Sequence, residues 1–381
     1  MTNQLVLRDE HEKAGAKFVN FAGYEMPINY GSQIKEHNAV RENIGVFDVS
    51  HMNVIDITGP DSKEFLRYLL ANDIEKIKNP GKALYSCILN NNAGIIDDLV
   101  VYHLNANYYR VILNASRKEA DMQWIHNELS NSTFNCHILE RNELVMLALQ
   151  GPKSLELFKD KDIQDIFNDE ETPDIYKRLC NLKFFECIEA EKYMIAATGY
   201  TGEKGFEILL KPHLAKKFWE VLMQKGVTPC GLGARDSLRL EAGLLLYGQD
   251  MTEDNNLLDS CLKWTLSLTD KDRNFVGKNK TLEIIDNDKI DSTLVGIVLE
   301  DKGVIRSGQV IKFDNGYEGI VTSGIYSPTM QKSIALARVP SIIKKEKDNY
   351  KNCKVVMRNN EASAIVVKFP FVRNGEIVCF N

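Results

Sequence analysis

Val145-Met146-Leu147-Ala148-Leu149-Gln150-Gly151-Pro152-Lys153-Ser154 decides the fold, because it has an earlier counterpart in Val54-Ile55-Asp56-Ile57-Thr58-Gly59-Pro60-Asp61-Ser62. Each is an apolar run of strand length, broken by Gly-Pro. Apolar residues then follow at helical spacing, Phe65 and Leu66 after the first and Leu157 and Phe158 after the second. Proline has no N–H to give a strand ladder and its fixed φ suits a first helical turn, so Gly-Pro-x-Ser ends a strand and enters a helix. Two such strand–turn–helix units predict two related α+β layers rather than one long barrel, although Gly-Pro-x-Ser is also a common helix entry in its own right.

Between the units the pattern is an antiparallel meander: a strand over Ala83–Leu89, a loop at Asn90–Gly94, a strand over Ile95–His103, and a turn at Asn105–Asn107 into Tyr108–Leu113. A second hairpin pattern joins Tyr193–Thr198 to Phe206–Leu210 through a glycine-punctuated turn. From about Leu294 the texture changes to short β-rich segments, at Val295–Leu299, Gln309–Phe313, Gly319–Ser323, Ala335–Val339, Lys354–Met357 and Ala364–Lys368. These predict a small all-β barrel or sandwich. The charged stretch from Lys278 to Asp291 is a linker or a solvated helix. At 381 residues the chain exceeds one hydrophobic core, so two or three domains are expected.

Composition narrows the function classes. The chain is 44% hydrophobic and 26% charged with net charge −6, which argues against a nucleic-acid binder that relies on bulk charge. No apolar run has the length of a membrane span. The N-terminal residues are neither a signal nor a transit peptide, so a cytoplasmic protein is expected. Eight scattered cysteines without a Cys-x-x-Cys pair predict reduced thiols rather than disulfides or a zinc site, and seven histidines show no metal-ligand spacing, so no metal is expected. Neither a Gly-x-Gly-x-x-Gly nor a Walker-type loop is present.

Three places carry chemistry. In Gly94-Ile95-Ile96-Asp97-Asp98-Leu99-Val100-Val101-Tyr102, two adjacent acids interrupt a strand-like run. Neighbouring strand residues point to opposite faces, so one acid should meet solvent and the other something more enclosed. A strand-edge pair satisfied by backbone or a basic neighbour is the plainer account. Gly199-Tyr200-Thr201-Gly202-Glu203-Lys204-Gly205 implies positive φ or a close approach, and Glu207 just beyond it lies between Phe206 and Ile208. A carboxylate enclosed there matches a heterocycle with an amino group beside a ring N–H, as in pterins and purines, with Tyr200 able to stack on it. Arg235, in the first turn of a helix read within Gly231–Gly243, opposes the helix dipole unless an anion is near. For Glu207 and Arg235 alike, a charged neighbour in the protein is the competing account.

Ser50-His51-Met52, Leu84-Tyr85-Ser86, Gly94-Ile95-Ile96-Asp97-Asp98-Leu99, Leu149-Gln150-Gly151-Pro152, Gly199-Tyr200-Thr201-Gly202-Glu203, Gly233-Ala234-Arg235-Asp236-Ser237-Leu238-Arg239, Val321-Thr322-Ser323-Gly324 and Ser327-Pro328 occur in one order. Together they resemble the T-protein of the glycine cleavage system, the tetrahydrofolate-dependent aminomethyltransferase. The likeness runs from Phe21-Ala22-Gly23-Tyr24 to Phe371-Val372-Arg373-Asn374-Gly375. Asn92-Ala93-Gly94 stands where Gly-Gly is usual, and Lys204 where Asp is usual.

The resemblance implies an α+β fold: a three-domain cloverleaf of two ferredoxin-like, antiparallel α+β domains, interleaved over residues 1–275, and a C-terminal β-barrel over 285–381, around a central folate cavity. It implies release of ammonia from the aminomethyl-dihydrolipoyl arm of the H-protein and transfer of the carbon to tetrahydrofolate, giving 5,10-methylenetetrahydrofolate, without a metal. The H-protein would dock transiently. By position, Asp98 matches the catalytic aspartate with Asp97 its outward neighbour, Glu207 the acid on the pterin edge, and Arg235 a ligand-binding arginine. Tyr85, Tyr102, Asn114, Tyr200 and Met52 occupy cavity positions, and Arg373 a further ligand position. The alternatives are a non-catalytic folate-binding protein of the iron–sulfur maintenance type, a folate-dependent demethylase, or the folate half of a sarcosine-type oxidase. The first resembles its kin through a Lys-Gly-Cys-Tyr-type motif where this chain has Thr198-Gly199-Tyr200, and no flavin-binding glycine motif supports the last.

Overall fold

The computed structural model describes residues 2–168, 173–287, 290–346, 350–358 and 360–380. Its contacts fall into two units, each assembled from separate stretches: Met1–Lys63, Glu75–Leu84 and Val100–Asp236 in the first, Glu64–Ile74, Tyr85–Leu99 and Ser237–Asn381 in the second.

The first unit is built on the quoted stretch. Val145–Gln150 lies in a six-stranded sheet, antiparallel to Gly205–Leu210 on one side and Gly45–Asp48 on the other. Every residue of that strand is buried, as its unbroken apolar run requires of a strand covered on both faces. Phe158, Phe167, Phe218 and Trp219 fill the core against it. The helix Pro212–Gln224 supplies the last two and begins with the proline suited to its first turn.

The earlier counterpart, Asn53–Thr58, pairs antiparallel with Tyr108–Leu113 and His137–Glu140 in a five-stranded sheet. That sheet also contains Lys82–Leu89 and Ile95–Asn105, and both strands pass from one unit into the other. The two Gly-Pro turns are alike in detail. Gly59 and Gly151 have φ of 121° and 132°, and Ser62 and Ser154 each donate an N–H to that glycine's carbonyl at 3.1 Å. A side chain at either glycine would strike backbone, so both positions are closed to anything larger. The helices that follow differ, Ser62–Leu69 against the single turn Ser154–Leu157.

In the second unit six strands close a barrel, in the order Ser292–Leu299, Lys332–Pro340, Glu318–Ser327, Val310–Lys312, Asn352–Met357 and Asn360–Val367. Closure leaves no strand edge unpaired. Inward residues such as Ile297, Ile311, Val321, Val339 and Val355 form its core. The expected late β-rich segments are all present, and most run longer than the turn residues suggested. The charged stretch is a helix over Lys278–Asp286, with Asp288 and Lys289 outside the described residues. Among the described residues no helix is long and apolar enough to cross a membrane.

Candidate functional site

Within the first unit a polar cluster forms where the glycine-rich turn meets its sheet. In Gly205–Leu210 alternation buries Phe206 and Ile208 on one face and puts Glu207 on the other. Its register partners are Ala148 and Ala196, two small side chains that leave the carboxylate room. Thr198 Oγ donates to Glu207 Oε2 at 2.6 Å, and Tyr102 Oη lies 3.0 Å from Thr198 Oγ. A hydroxyl has one proton, already given to Glu207, so the phenol donates to Thr198 and the chain of bonds runs from Tyr102 toward the acid. Burial pushes Glu207 above the usual carboxylate range, and the Thr198 bond and the charge of Arg235 only partly offset it.

The turn is held from beneath. A side chain on Gly199 would strike the Gln150 side-chain amide, which hydrogen bonds to the turn hold in place, so the glycine here serves a close approach. Gln150 Nε2 donates to the Thr198 carbonyl at 3.1 Å, and Thr201 Oγ donates back to Gln150 Oε1 at 2.8 Å. Arg41 ties the far side, donating to the Thr201 carbonyl at 2.7 Å and to Glu203 Oε1 at 2.8 Å.

Arg235 is the fourth residue of the helix Leu232–Glu241, in its first turn as the pattern predicts. Its guanidinium lies 4.7 Å over the Tyr200 ring, so Tyr200 already stacks, and on an arginine. Nη1 of Arg235 is buried with no hydrogen-bond partner among the described residues. Burial pulls its pKa below the usual arginine value against the attraction of Glu207 and Tyr200. His51, only 4% exposed, has an Nδ1 without a hydrogen-bond partner among the described residues and packs edge-on to Phe21 at 5.6 Å. Burial and then the charge of Arg235 push His51 down to about 3, so it is a neutral imidazole. Met52 and Asn114 are half-buried and leave the same end of the Asn53–Thr58 and Tyr108–Leu113 pair, one step beyond the Asn53–Leu113 register.

A second cluster lies within the second unit. Tyr85 Oη donates to Asp98 Oδ2 at 2.8 Å, and Trp264 stacks on the Tyr85 ring at 5.2 Å and 16°. Asp98 is half-buried, whereas Asp97 is fully buried, which corrects its placement as the outward neighbour. Both faces of this strand segment are covered, so alternation separates the two acids without exposing Asp97. Burial, then Asp98 and Asp97, push the Cys87 thiol well above its usual value. Arg373 stands exposed in the hairpin of Val372–Arg373 and Glu376–Ile377.

The sequence singled out Glu207, Arg235, Tyr200 and Tyr102, which the fold brings together, and Tyr85 and Asp98, which touch. It did not single out Thr198, Trp264 or a role for His51. Thr198 could have been found from its position beside Gly199-Tyr200; the stack of Trp264 left no local signal. Among the described residues no group of three or more His, Cys, Asp or Glu is placed to hold a metal ion.

This geometry can be set beside known proteins. Residues 7–270 match the family model of the GCVT N-terminal domain, and residues 293–373 that of the glycine cleavage T-protein C-terminal barrel domain. An aminomethyltransferase from Alcanivorax borkumensis is 47% identical over 378 residues, 99% of each chain. One from Xylella fastidiosa is 45% identical, covering 99% of this chain and 98% of its own. The crystal structure of the glycine cleavage system aminomethyltransferase T from Bartonella henselae superposes with a TM-score of 0.87 at 33% identity, over 99% of this chain and all of that one. Matched along nearly its whole length, the chain belongs to the glycine cleavage T-protein family.

Proposed function

We propose that this protein is the aminomethyltransferase of a glycine cleavage system. It releases ammonia from the aminomethyl group on the dihydrolipoyl arm of the H-protein and passes the carbon to tetrahydrofolate. The observation that carries the site assignment is the placing of a carboxylate of raised pKa, Glu207, near a buried guanidinium donor that has no partner among the described residues, Arg235 Nη1. A pterin edge, with its amino group, ring N–H and carbonyl, supplies partners of both kinds. Tyr102 and Thr198 fix the carboxylate, Tyr200 fixes the guanidinium, and Met52 and Asn114 border the ring. Arg373, exposed, is suited to the anionic glutamate tail.

Tetrahydrofolate supplies the nitrogen that takes the carbon and leaves as 5,10-methylenetetrahydrofolate. Asp98 stands ready as a carboxylate to oppose the positive charge that develops as ammonia departs and to accept or relay a proton. The remaining work is proximity. The catalytic region is residues 1–275, the barrel of 285–381 a separate domain, and the setting cytoplasmic, with the H-protein a transient partner.

Asp98→Asn tests this reading. Asparagine preserves shape but not charge, so turnover with lipoylated H-protein should fall roughly 10²–10³-fold with tetrahydrofolate binding retained. Asp97→Asn should cost stability and spare turnover, because Asp97 lies buried on the opposite face. Full activity in Asp98→Asn, or equal loss in both variants, would remove Asp98 from the mechanism.

A further inference from the structure

We infer that Tyr85 and Trp264 are a positioning pair for the Asp98 carboxylate, and that neither serves chiefly to hold the folate. The inference rests on the reading of Asp98 as the catalytic acid and extends it to two residues that act through it.

Three observations within the second unit carry it. The Tyr85 hydroxyl donates to Asp98 Oδ2 at 2.8 Å, a charge-assisted bond that fixes one carboxylate oxygen and favours the anion. The Tyr85 ring is in turn covered by Trp264, nearly parallel at 16°. Trp264 is 63% exposed, an unusual position for an indole. It is held there by the short turn Lys263–Thr265, whose Thr265 is fully buried and donates through Oγ to the Leu262 carbonyl at 2.8 Å. An indole anchored through its backbone and laid on one tyrosine restricts the ring rotation that would carry the hydroxyl off Asp98.

Turnover against pH, tetrahydrofolate affinity by calorimetry, and a double-mutant cycle with Asp98→Asn test the pair. Tyr85→Phe removes one oxygen and keeps the stack, so folding is not at stake. It should lower kcat about tenfold and move the acidic limb of the profile up by about one pH unit, since the ionised carboxylate loses a donor. Tetrahydrofolate affinity should stay within about twofold. Trp264→Ala should give the same displacement at smaller size, and Trp264→Phe should restore it. In the Asp98→Asn background, Tyr85→Phe should cost nothing further. Weakened tetrahydrofolate binding with an unmoved limb would make Tyr85 a ligand contact and overturn the inference. Additive losses in the cycle would overturn it while leaving Asp98 catalytic, whereas full activity of Asp98→Asn alone would overturn both.

Discussion

Asp56 and Glu207 both project a carboxylate from a buried strand of the first unit toward arginine, and their surroundings end differently. Arg110, opposite Asp56 in register, donates to it through Nε at 2.8 Å and Nη2 at 3.0 Å. Arg141 adds Nη1 at 2.5 Å and Tyr108 its hydroxyl at 2.7 Å. Burial opposes the charge of Asp56, but these partners outweigh it and hold the acid below its usual range. Glu207 goes the other way, raised by burial, near an arginine one of whose nitrogens has no partner among the described residues. A cavity of about 360 Å³ opens over Arg110 and Arg141, yet both guanidinium groups are already paired with Asp56. A hollow beside a closed ion-pair network belongs to the fold; unmet donors and a destabilised acid mark a site.

The largest effect should come from opening the closed cluster. Asp56→Asn leaves two guanidinium groups facing a neutral amide, and breaking such a buried network costs about 3–5 kcal/mol. Chemical denaturation should show that loss, while calorimetry finds tetrahydrofolate affinity unchanged in the folded fraction. Because the folded pKa of Asp56 is depressed, its contribution is present above the unfolded value and lost as pH falls through the folded one, in the acid range below about pH 4. A variant of full stability would dissolve the contrast between the clusters.

Glu207→Gln should show the opposite pattern. It removes a charge-assisted pairing, so tetrahydrofolate should bind roughly 10–100-fold more weakly. The folded pKa of Glu207 is raised, so the ionised acid costs stability at neutral pH, and the cost fades as pH falls through that value. The thermal midpoint should therefore hold or rise. A falling midpoint with intact binding would put Glu207 in the same class as Asp56.

Arg235 and Arg239 show what the sequence could and could not tell. They are one helical turn apart in the same motif and equal in composition. Arg239 is buried in a closed network, donating to Asp250 Oδ2 at 2.8 Å and Ser323 Oγ at 2.9 Å, and so belongs to the fold. Arg235 was legible because a cation in a first turn opposes the helix dipole. Glu207 was legible because an acid broke an apolar run, and Tyr108–Leu113 because a clear turn led into its apolar run. The burial of Asp97 was not, since period-2 patterning says that faces differ and not what covers them. Tyr102 and Thr198 meet across 96 residues, and the separate stretches of each unit are likewise contacts that no local window contains.

His51 supplies a smaller test of the same contrast, because its charge is excluded by burial and by the arginine of the open cluster. Its folded value of about 3 lies below the unfolded one near 6.5, so the unfolded chain binds the extra proton between them. Its contribution to stability is complete above about pH 6.5 and is lost as pH falls, at about 1.4 kcal/mol per unit through the middle of that window. Denaturation midpoints between pH 7 and 4 should fall more steeply in the parent than in His51→Asn. Imidazole NMR should show no titration of His51 above pH 4, and a midpoint moved upward in Arg235→Met, with burial still holding it below the usual value. A midpoint unmoved in Arg235→Met would mean that Arg235 and His51 do not share a field.

The smallest effect concerns the loop that departs from the family pattern. Ala93 has φ of 64° and is 1% exposed, in the Asn90–Gly94 turn where its N–H meets the Asn90 carbonyl at 3.0 Å. A non-glycine residue there carries roughly 1–2 kcal/mol of strain. Glycine would relieve it but regain about 0.4–1 kcal/mol of unfolded-chain entropy and lose a buried methyl worth about 0.8 kcal/mol. The terms nearly cancel, so Ala93→Gly should move stability by less than about 1 kcal/mol in either direction, with turnover and tetrahydrofolate affinity unchanged. Ala93→Val, which puts a branched side chain into the same φ, should destabilise clearly. Strain here lies two residues before the strand that carries Asp97 and Asp98, yet it is met by the turn's own hydrogen bonds, as the charge of Asp56 is met by its arginines. If Ala93→Gly changes kcat by more than about threefold, the loop takes part in the site, and strain must join unmet polar atoms as a marker of function.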